Sequence, residues 1–465
     1  MTLTQRNRWT YDSDRGWLTG KKYPDTGAGP TYGYSAAGRL TSRQWLRLVA
    51  GTSTKLLTTY KYDFNFTAAP LKANFGDLRQ VTYNDGGLTP TVSYPDLDRR
   101  GRATKVTHGP GAATTTTLSY NNLGELLTEG HAGGDLNNLS VNLTYDAFAR
   151  RMTMLAMNGA TPLLNQNYGY QAGTSRLRQV DDGTQAARYD YEPNSPLVNT
   201  VTMGMVSGGS VIPRLTTVRD YDKWNRLMGV TATPSGSTMP AMGKRGYEYN
   251  AAQQRKRQTL EDGSYWAYDY DALGQVKAGN HHLKDGMPLA GQHFEYDYDA
   301  LGNRTFSRSG GDISWYSLRQ VSYAPAGSAA QNVNTYATRA VPRYLEVQGV
   351  AQSGATVTVS GVSPYAVSPP VTRQGEYFRA ELAITANTAV SETVSVTPTG
   401  GSTRMGTLFL APATETYVHD ADGNLKQDGH WAYTWDAENR LTSVTSLAGP
   451  ARIVNYRYDY AGRLV

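Results

Sequence analysis

The sequence predicts an all-β protein whose main part is a long antiparallel sheet of repeated β-hairpins, and three observations indicate this fold class. The stretch "YDYDALGNR" at 296–304 nearly repeats "YDYDALGQV" at 268–276, and internal repeats are typical of repeat architectures. The chain contains 33 Tyr against 8 Phe, together with 48 Gly, a composition that suits half-wet strands joined by tight turns. Its 465 residues exceed what one hydrophobic core usually serves, which favours an elongated array.

The repeated motif is an aromatic pair with one residue between, then Asp, two further residues, Gly, and a basic or polar residue. A type I turn favours Asp, Asn or Ser at its first position and Gly at its fourth, so the motif predicts a turn. Asn225 and Asn439 replace Gly plausibly, whereas Ala149 and Gln253 are expected to give turns of a different type. The predicted structural turn positions are Asp146, Asp222, Asp271, Gly274, Asp299, Gly302, Asp420, Gly423, Asp436, Asn439, Asp459 and Gly462.

Residues on both sides of each turn alternate with the period of two expected of strands. Isolated hairpins are marginal in water, so consecutive hairpins are expected to pair edge to edge in one twisted antiparallel sheet. The turn glycines Gly101 and Gly124 lie 23 positions apart, but Gly274 and Gly302 lie 28 apart. Such variation favours a solenoid with loop insertions over a propeller with fixed blades.

The strongest copies, "YDYDALGNR", "TWDAENRLTSV" and "YRYDYAGRLV", resemble the YD-repeat, or RHS-repeat, family. That family includes bacterial RHS polymorphic toxins, the B and C components of insecticidal toxin complexes, and teneurins. The resemblance covers roughly 1–335 and 412–465. It implies a β-ribbon that spirals into a hollow shell around a cargo polypeptide, in a secreted or cell-surface protein.

The motif fails between Gly302 and Gly423, an interval of 121 residues. Within it, 340–411 contain short alternating segments such as "ATVTVSG" and "ETVSVTPTG", separated by Gly, Pro and Ser, which favour a small β-sandwich. We expect an inserted immunoglobulin-like module, with a long decorated hairpin loop as the alternative. The predicted domains are therefore 1–339 and 412–465, both of YD/RHS repeats, and the insert at 340–411.

The last residues, "YRYDYAGRLV", stop inside the second strand of a hairpin. In toxin-type relatives a self-cleavage core and a variable toxin follow the repeats, so the resemblance implies a shell fragment without its processing and cargo regions. An unpaired strand edge invites pairing with another chain. Self-association through this C-terminal edge is therefore expected.

The sequence contains no residue pattern typical of a catalytic or metal-binding site. With 0 Cys there is no disulfide framework or thiolate metal site. The pair His281-His282 is interpreted as a solvated loop pair, and Asp181-Asp182-Gly183, Asp262-Gly263 and Asp422-Gly423 as turns in preference to calcium ligands. We expect no catalytic residue, no metal and no cofactor.

The charge and hydropathy of the chain argue against two kinds of partner, nucleic acid and the membrane interior. The formal charge is +6, but the basic residues are spread through the repeats, so nucleic-acid binding is not expected. No apolar run approaches the length of a membrane span, and the N-terminus shows no signal peptide.

Two functions from different classes follow. The first is a non-catalytic structural shell segment that encapsulates a C-terminal toxin or effector polypeptide. The alternative is an extracellular adhesion protein that displays the immunoglobulin-like module to a cell-surface glycan or receptor. An enzyme is the third and least favoured class.

Overall fold

The computed structural model describes residues 8–23, 27–62, 76–109, 114–236, 242–313, 318–325, 335–361 and 368–465. In these ranges the regular elements are β-strands and one short 3-10 helix, Gly134–Leu136, without any α-helix. The predicted all-β fold class is confirmed. The first seven residues, on which part of the signal-peptide assessment falls, lie outside the described residues.

The strands of the described part, in chain order, are β1 (Arg8–Tyr11), β2 (Leu18–Lys22), β3 (Thr31–Tyr34), β4 (Leu40–Leu48), β5 (Lys55–Tyr62), β6 (Leu78–Tyr83), β7 (Val92–Leu97), β8 (Ala103–His108), β9 (Thr114–Tyr120), β10 (Leu126–Ala132), β11 (Leu139–Tyr145), β12 (Arg151–Asn158), β13 (Thr161–Tyr170), β14 (Leu177–Asp181), β15 (Gln185–Tyr191), β16 (Val198–Ser207), β17 (Ser210–Tyr221), β18 (Leu227–Pro234), β19 (Met242–Tyr249), β20 (Arg255–Thr259), β21 (Tyr265–Tyr270), β22 (Val276–His282), β23 (Pro288–Tyr298), β24 (Arg304–Gly310), β25 (Leu318–Pro325), β26 (Tyr336–Ala340), β27 (Tyr344–Val350), β28 (Val357–Ser360), β29 (Val371–Gln374), β30 (Tyr377–Ala383), β31 (Val390–Pro398), β32 (Arg404–Leu410), β33 (Thr414–Thr416), β34 (Val418–His419), β35 (Leu425–Gln427), β36 (Trp431–Trp435), β37 (Leu441–Ser446) and β38 (Ile453–Asn455).

Strand pairing follows the predicted antiparallel pattern. Hydrogen bonding links 27 of these strands, β1 to β26 and β33, in one sheet, and β34 to β38 form a five-stranded sheet. Successive strands are antiparallel neighbours, as β21, β22, β23 and β24 show. The long hairpin sheet that the repeats predict is therefore present.

The chain divides into two compact units. The first comprises 1–57, 249–257 and 262–456, and the second comprises 58–248, 258–261 and 457–465. The second unit contains a small buried cluster of Val92, Val106 and Leu118. Most repeat residues are only half-buried, as expected for a sheet with one face against water.

The larger apolar core belongs to residues 344–410 of the first unit. Two three-stranded sheets, β27-β30-β29 and β28-β31-β32, share a core that includes Leu345, Val359 and Leu382. The flanking strands β26 and β33 pair with each other, Ala340 opposite Thr414. The immunoglobulin-like assignment and the predicted domain boundaries stay predictions.

Candidate functional site: the Tyr-Asp turns

The turn at 299–303 shows how the repeated motif folds. The Gly302 amide donates to the Asp299 carbonyl (3.0 Å), and the Asp299 amide donates to the Asn303 carbonyl (2.8 Å). Gly302 lies in the left-handed region, with φ +87°. This is a three-residue hairpin loop, a type I turn followed by a left-handed residue that forms a bulge.

The same pair of hydrogen bonds recurs along the described chain. It closes the turns that open at Ser35, Asp98, Asn121, Asp146, Asp222, Asn250, Asp271, Leu283, Asp299, Asp420, Asp436 and Asp459. Each predicted structural turn position lies in one of these turns, with Asp at the opening and Gly or Asn at the left-handed position, except in the turn of Asp146, where Ala149 occupies it. At these positions the sequence motif and the turn coincide.

Two of the turns depart from what the sequence predicts. Ala149 and Gln253 have φ values of +62° and +68°, and their turns have the same two hydrogen bonds as the others. The expectation that these turns differ in type is wrong. The paired strands on both sides impose the left-handed conformation, although a side chain there costs about 1–2 kcal/mol.

The opening carboxylate holds its turn together. The Asp146 Oδ1 atom accepts from the Phe148 amide (2.9 Å) and the Arg150 amide (3.0 Å), while Oδ2 accepts from Arg150 Nε (2.7 Å). The hydrogen bond from Arg150 holds the pKa of Asp146 below its usual value. The same pairing links Asp98 to Arg102, Asp222 to Arg226, Asp436 to Arg440, and Asp459 to Arg463.

Sequence reasoning missed this ion pair, although the signal was present. A basic residue follows the opening Asp by four positions in these copies, a spacing that the tight turn converts into contact. The arginine also reaches forward along the chain. The Arg102 guanidinium lies 4.3 Å from the ring centre of Tyr120, and that of Arg150 lies 4.5 Å from the ring of Tyr170. Each arginine thus joins its own turn to the tyrosine that precedes the next one.

The tyrosine before a turn is tied to the preceding turn by its hydroxyl group. Tyr298 donates to the Val276 carbonyl (3.0 Å), Tyr270 donates to the Arg255 carbonyl (2.7 Å), and Tyr170 donates to the Arg151 carbonyl (2.8 Å). Each acceptor lies two residues after the left-handed position of the turn before. These bonds give a physical reason for the preference for Tyr over Phe, since Phe has no hydroxyl group to donate.

Within the first unit, later turns dock onto the early strand β4. Asp422 accepts from the backbone amides of Leu46 (2.9 Å) and Arg47 (3.2 Å), and the Trp45 indole donates to the Ala437 carbonyl (2.9 Å). Burial raises the pKa of Asp422. The Asp-Gly pair at 422–423 is thus a turn, as expected, whose Asp also satisfies backbone donors of a distant strand.

The arrangement that most resembles a catalytic relay lies around His281 in the first unit. The Ser264 hydroxyl donates to Asp262 Oδ1 (2.6 Å) and lies 3.0 Å from His281 Nε2, while His281 Nδ1 lies 2.6 Å from Gln292 Oε1. Ser264 is 2% exposed and His281 is 3% exposed. The Ser264 hydroxyl group is thus buried and directed at Asp262.

The His281 environment also corrects the sequence interpretation of a solvated loop pair. His281 and His282 both lie in strand β22, and burial lowers the pKa of His281. The Tyr377 hydroxyl of β30 donates to Asp262 Oδ2 (2.7 Å). The group therefore joins the two-sheet segment 344–410 to the repeat hairpin beside it.

The described residues contain no group of three or more metal-ligating side chains. Their elements also include no helix that is long and apolar enough to cross a membrane.

Comparisons with known proteins give short sequence matches and long structural ones. No protein-family model matches the chain. The tRNA nuclease WapA of Bacillus subtilis is 39% identical over 51 residues, which are 11% of this chain and 2% of WapA. A tRNA3(Ser)-specific nuclease WapA of Bacillus spizizenii matches to the same extent.

Solved structures match almost the whole chain at low sequence identity. A chain of the Photorhabdus luminescens Tc holotoxin pore is 12% identical with a TM-score of 0.49, over 100% of this chain and 24% of that one. The TcdB2-TccC3-Cdc42 complex gives 12% identity and a TM-score of 0.41, over 99% of this chain and 26% of its own.

The antiparallel sheet of repeated hairpins is the fold that the resemblance to RHS-repeat proteins implies, and membership of that family stays a prediction. The chain spans about a quarter of the solved chains that it matches and 2% of the curated relatives, so the activities of those proteins do not pass to it by similarity.

Proposed function

We propose that this chain is a non-catalytic wall segment of an RHS-repeat shell that encloses a toxin or effector polypeptide. The observation that carries the proposal is the recurrence of one turn, with the same two hydrogen bonds, at many places in the sheet. An active site is normally a single constellation with matched geometry and pKa values. Residues that recur in many hairpins stabilise the sheet and do not form a single site of this kind.

The role of the Asp residues supports this proposal. In the turns the carboxylates accept from backbone amides and from a side chain, which is arginine for Asp146 and asparagine for Asp299. Such carboxylates are neither free acids nor free bases for reaction with a substrate. We therefore propose that the chain has no enzymatic activity of its own, and that it acts in a secreted or cell-surface protein.

Protease protection in the complete gene product that contains this chain tests enclosure. A polypeptide held inside a closed wall resists a bulky protease while the wall is intact, and becomes cleavable when mild denaturant opens it. We expect this two-stage digestion for segments outside the repeats. Immediate cleavage of those segments in the native protein would contradict the proposal.

The second candidate is an adhesion protein in which the segment 344–410 is displayed to a surface glycan or receptor. The observation that favours it is the separate core of this segment, built on residues such as Leu345, Val359 and Leu382. Binding of the chain to a glycan array, lost when 344–410 are replaced by a linker, would support display over enclosure. Self-association through the C-terminal edge stays a prediction, and sedimentation of the chain at high concentration tests it.

A further inference from the structure

The hairpin Arg457–Val465, which carries the last Tyr-Asp turn, lies in the second unit against buried ionisable side chains. Arg463 binds the Glu129 carboxylate through both terminal nitrogens, with Nη1 3.1 Å from Oε2. Arg463 Nε also donates to Asp459 Oδ2 (2.5 Å). Asp459 is 3% exposed and Glu129 is 7% exposed, so both carboxylates depend on Arg463 for charge compensation.

Two histidines lie beneath this hairpin. His108 is 8% exposed, and its Nε2 atom is buried without a hydrogen-bond partner among the described residues. His131 lies with Nδ1 3.1 Å from Thr116 Oγ1 and with Nε2 3.5 Å from Glu129 Oε1. The ring centre of Tyr460 is 6.3 Å from that of His108, so the hairpin lies against His108, and its Arg463 binds the Glu129 carboxylate that lies beside His131.

We propose that Arg457–Val465 is an acid-released latch, which closes over strands β8 to β10 at neutral pH and detaches when His108 and His131 take up protons. The inference is independent of whether the sheet encloses a cargo. It rests on the placement of two buried imidazoles beneath a hairpin held by the Arg463–Glu129 contact, by an exposed ion pair between Arg457 and Asp135 (2.6 Å), and by the packing of Tyr460 on the apolar cluster.

The charges that face the histidines set the direction of the effect. Strand β10 contributes Glu129 beside His131, β8 contributes His108, and β9 contributes the uncharged Thr116. The latch contributes Asp459, Tyr460 and Arg463. On protonation, His131 competes with Arg463 for Glu129, and the two imidazolium groups repel each other and Arg463.

Desolvation adds to this repulsion. Burial lowers the pKa of both His108 and His131 from the ordinary value of 6.5, although Asp459 and Glu129 partly oppose the shift. A depressed pKa means that the closed form binds protons less readily than the open form. The stabilisation is therefore complete above pH 6.5, and it is lost as the pH falls from there through the lower pKa values of the closed form.

A single thiol can report on the latch, since the chain contains 0 Cys. Val106 is 0% exposed and belongs to the cluster against which Tyr460 packs. In the full chain carrying Val106→Cys, maleimide labelling is measured at pH 7.5 and pH 5.5, and each rate is divided by the rate for the urea-unfolded chain at the same pH. We expect the corrected rate to rise severalfold at pH 5.5. Val92→Cys, in the same cluster, is an independent reporter should the first variant fold poorly.

Further variants separate latch release from other acid effects. With His108→Gln and His131→Gln added to the reporter, the pH response should disappear, and with Arg463→Ala labelling should be fast at both pH values. A thiol at Val201, which is 5% exposed elsewhere in the same unit, should stay protected throughout. An unchanged pH response without the two histidines, or equal acid exposure of the Val201→Cys thiol, would overturn the proposal.

Discussion

At the scale of one residue, substitutions at the left-handed position of a turn test whether the turn conformation determines stability. Gly302 has φ +87° and Ala149 has φ +62°, so the same conformation is occupied by a suitable residue in one turn and an unsuitable one in the other. Gly302→Val should lower the free energy of unfolding by at least about 1–2 kcal/mol, because a β-branched residue resists positive φ.

The opposite change at Ala149 is the matched control. Ala149→Gly should stabilise its hairpin by up to about 1 kcal/mol, since relief of left-handed strain exceeds the entropy that glycine loses. Urea denaturation of both variants measures these effects. Shifts of the same sign would show that the turn conformation does not determine stability at these positions.

The tyrosine hydroxyl gives a second prediction at this scale. Tyr270→Phe removes the donor to the Arg255 carbonyl and should cost about 0.5–1.5 kcal/mol, the usual net value of a hydrogen bond. Tyr11→Phe is the control, because Tyr11 is 60% exposed. Equal denaturation midpoints for the Tyr270→Phe variant and the unaltered chain would show that the Tyr270 hydroxyl group does not stabilise the fold.

At the same scale, sequence could predict the Asp and Gly positions because turn chemistry is local. It could not predict that Ala149 adopts the turn conformation, since that is imposed by strands that pair outside the four-residue window. Nor could it assign the Tyr270 hydroxyl to Arg255, because the acceptor lies on a neighbouring hairpin and depends on register.

At the scale of the element, several hairpins that carry the Tyr-Asp turn have a bulge beside it. The register shifts beside the turn at Tyr145, Tyr221, Tyr270 and Tyr298. A bulge bends its strand and increases the local twist. Bulges that recur beside the Tyr-Asp turns therefore increase the local twist at several places along the sheet.

The junction between the two-sheet segment and strand β23 can be tested at Gly291. A Cβ atom there would lie 2.5 Å from Gln348 Nε2 and 2.7 Å from Arg379 Cδ, at φ +83°. Gly291→Ala should therefore destabilise the chain by about 1–3 kcal/mol through overpacking, in addition to backbone strain.

Gly183→Ala is the control for this substitution. Its φ is +89°, but no atom lies within 4 Å of the added Cβ, so it carries the strain without the clash. Urea denaturation should show the larger loss for Gly291→Ala. Equal losses of stability in the two variants would mean that the junction accommodates the added Cβ atom without cost and contributes little to the stability of the chain.

The segment 340–411 is where sequence and structure predict different outcomes for one experiment. The self-contained pattern predicts that a short Gly-Ser linker can replace it, and the pairing of Ala340 with Thr414 allows such a linker to close. However, the segment also contacts the neighbouring repeat strands. The side-chain oxygen of Gln374 accepts a hydrogen bond from the Ala290 amide (2.8 Å), and the Tyr377 hydroxyl group donates to the Asp262 carboxylate.

Removing the segment should therefore leave a folded sheet whose strands β21 to β23 are less stable. Amide hydrogen exchange in these strands should be faster than in the intact chain, whereas strands β11 to β13 serve as the internal reference. Unchanged exchange in β21 to β23 would support the separable domain that the sequence predicts.

At the scale of the whole molecule, the repeats made the long sheet predictable, because one local motif fixes each hairpin and hairpins must pair to bury their apolar faces. The docking contacts were not predictable. Trp45 contacts Ala437, and Arg463 contacts Glu129, although the members of each pair lie more than 300 positions apart in the sequence. A single sequence carries no local signal for such pairs.

We propose that this chain forms a non-catalytic shell segment and that the shell encloses a polypeptide. Electron cryo-microscopy of the complete gene product tests this proposal most directly. We expect the hairpin sheet, with its turns at Asp299 and the equivalent positions, to form a closed shell around density that the repeats do not explain. An open ribbon with no enclosed density, or a substrate-binding cleft formed by the turn residues, would contradict it.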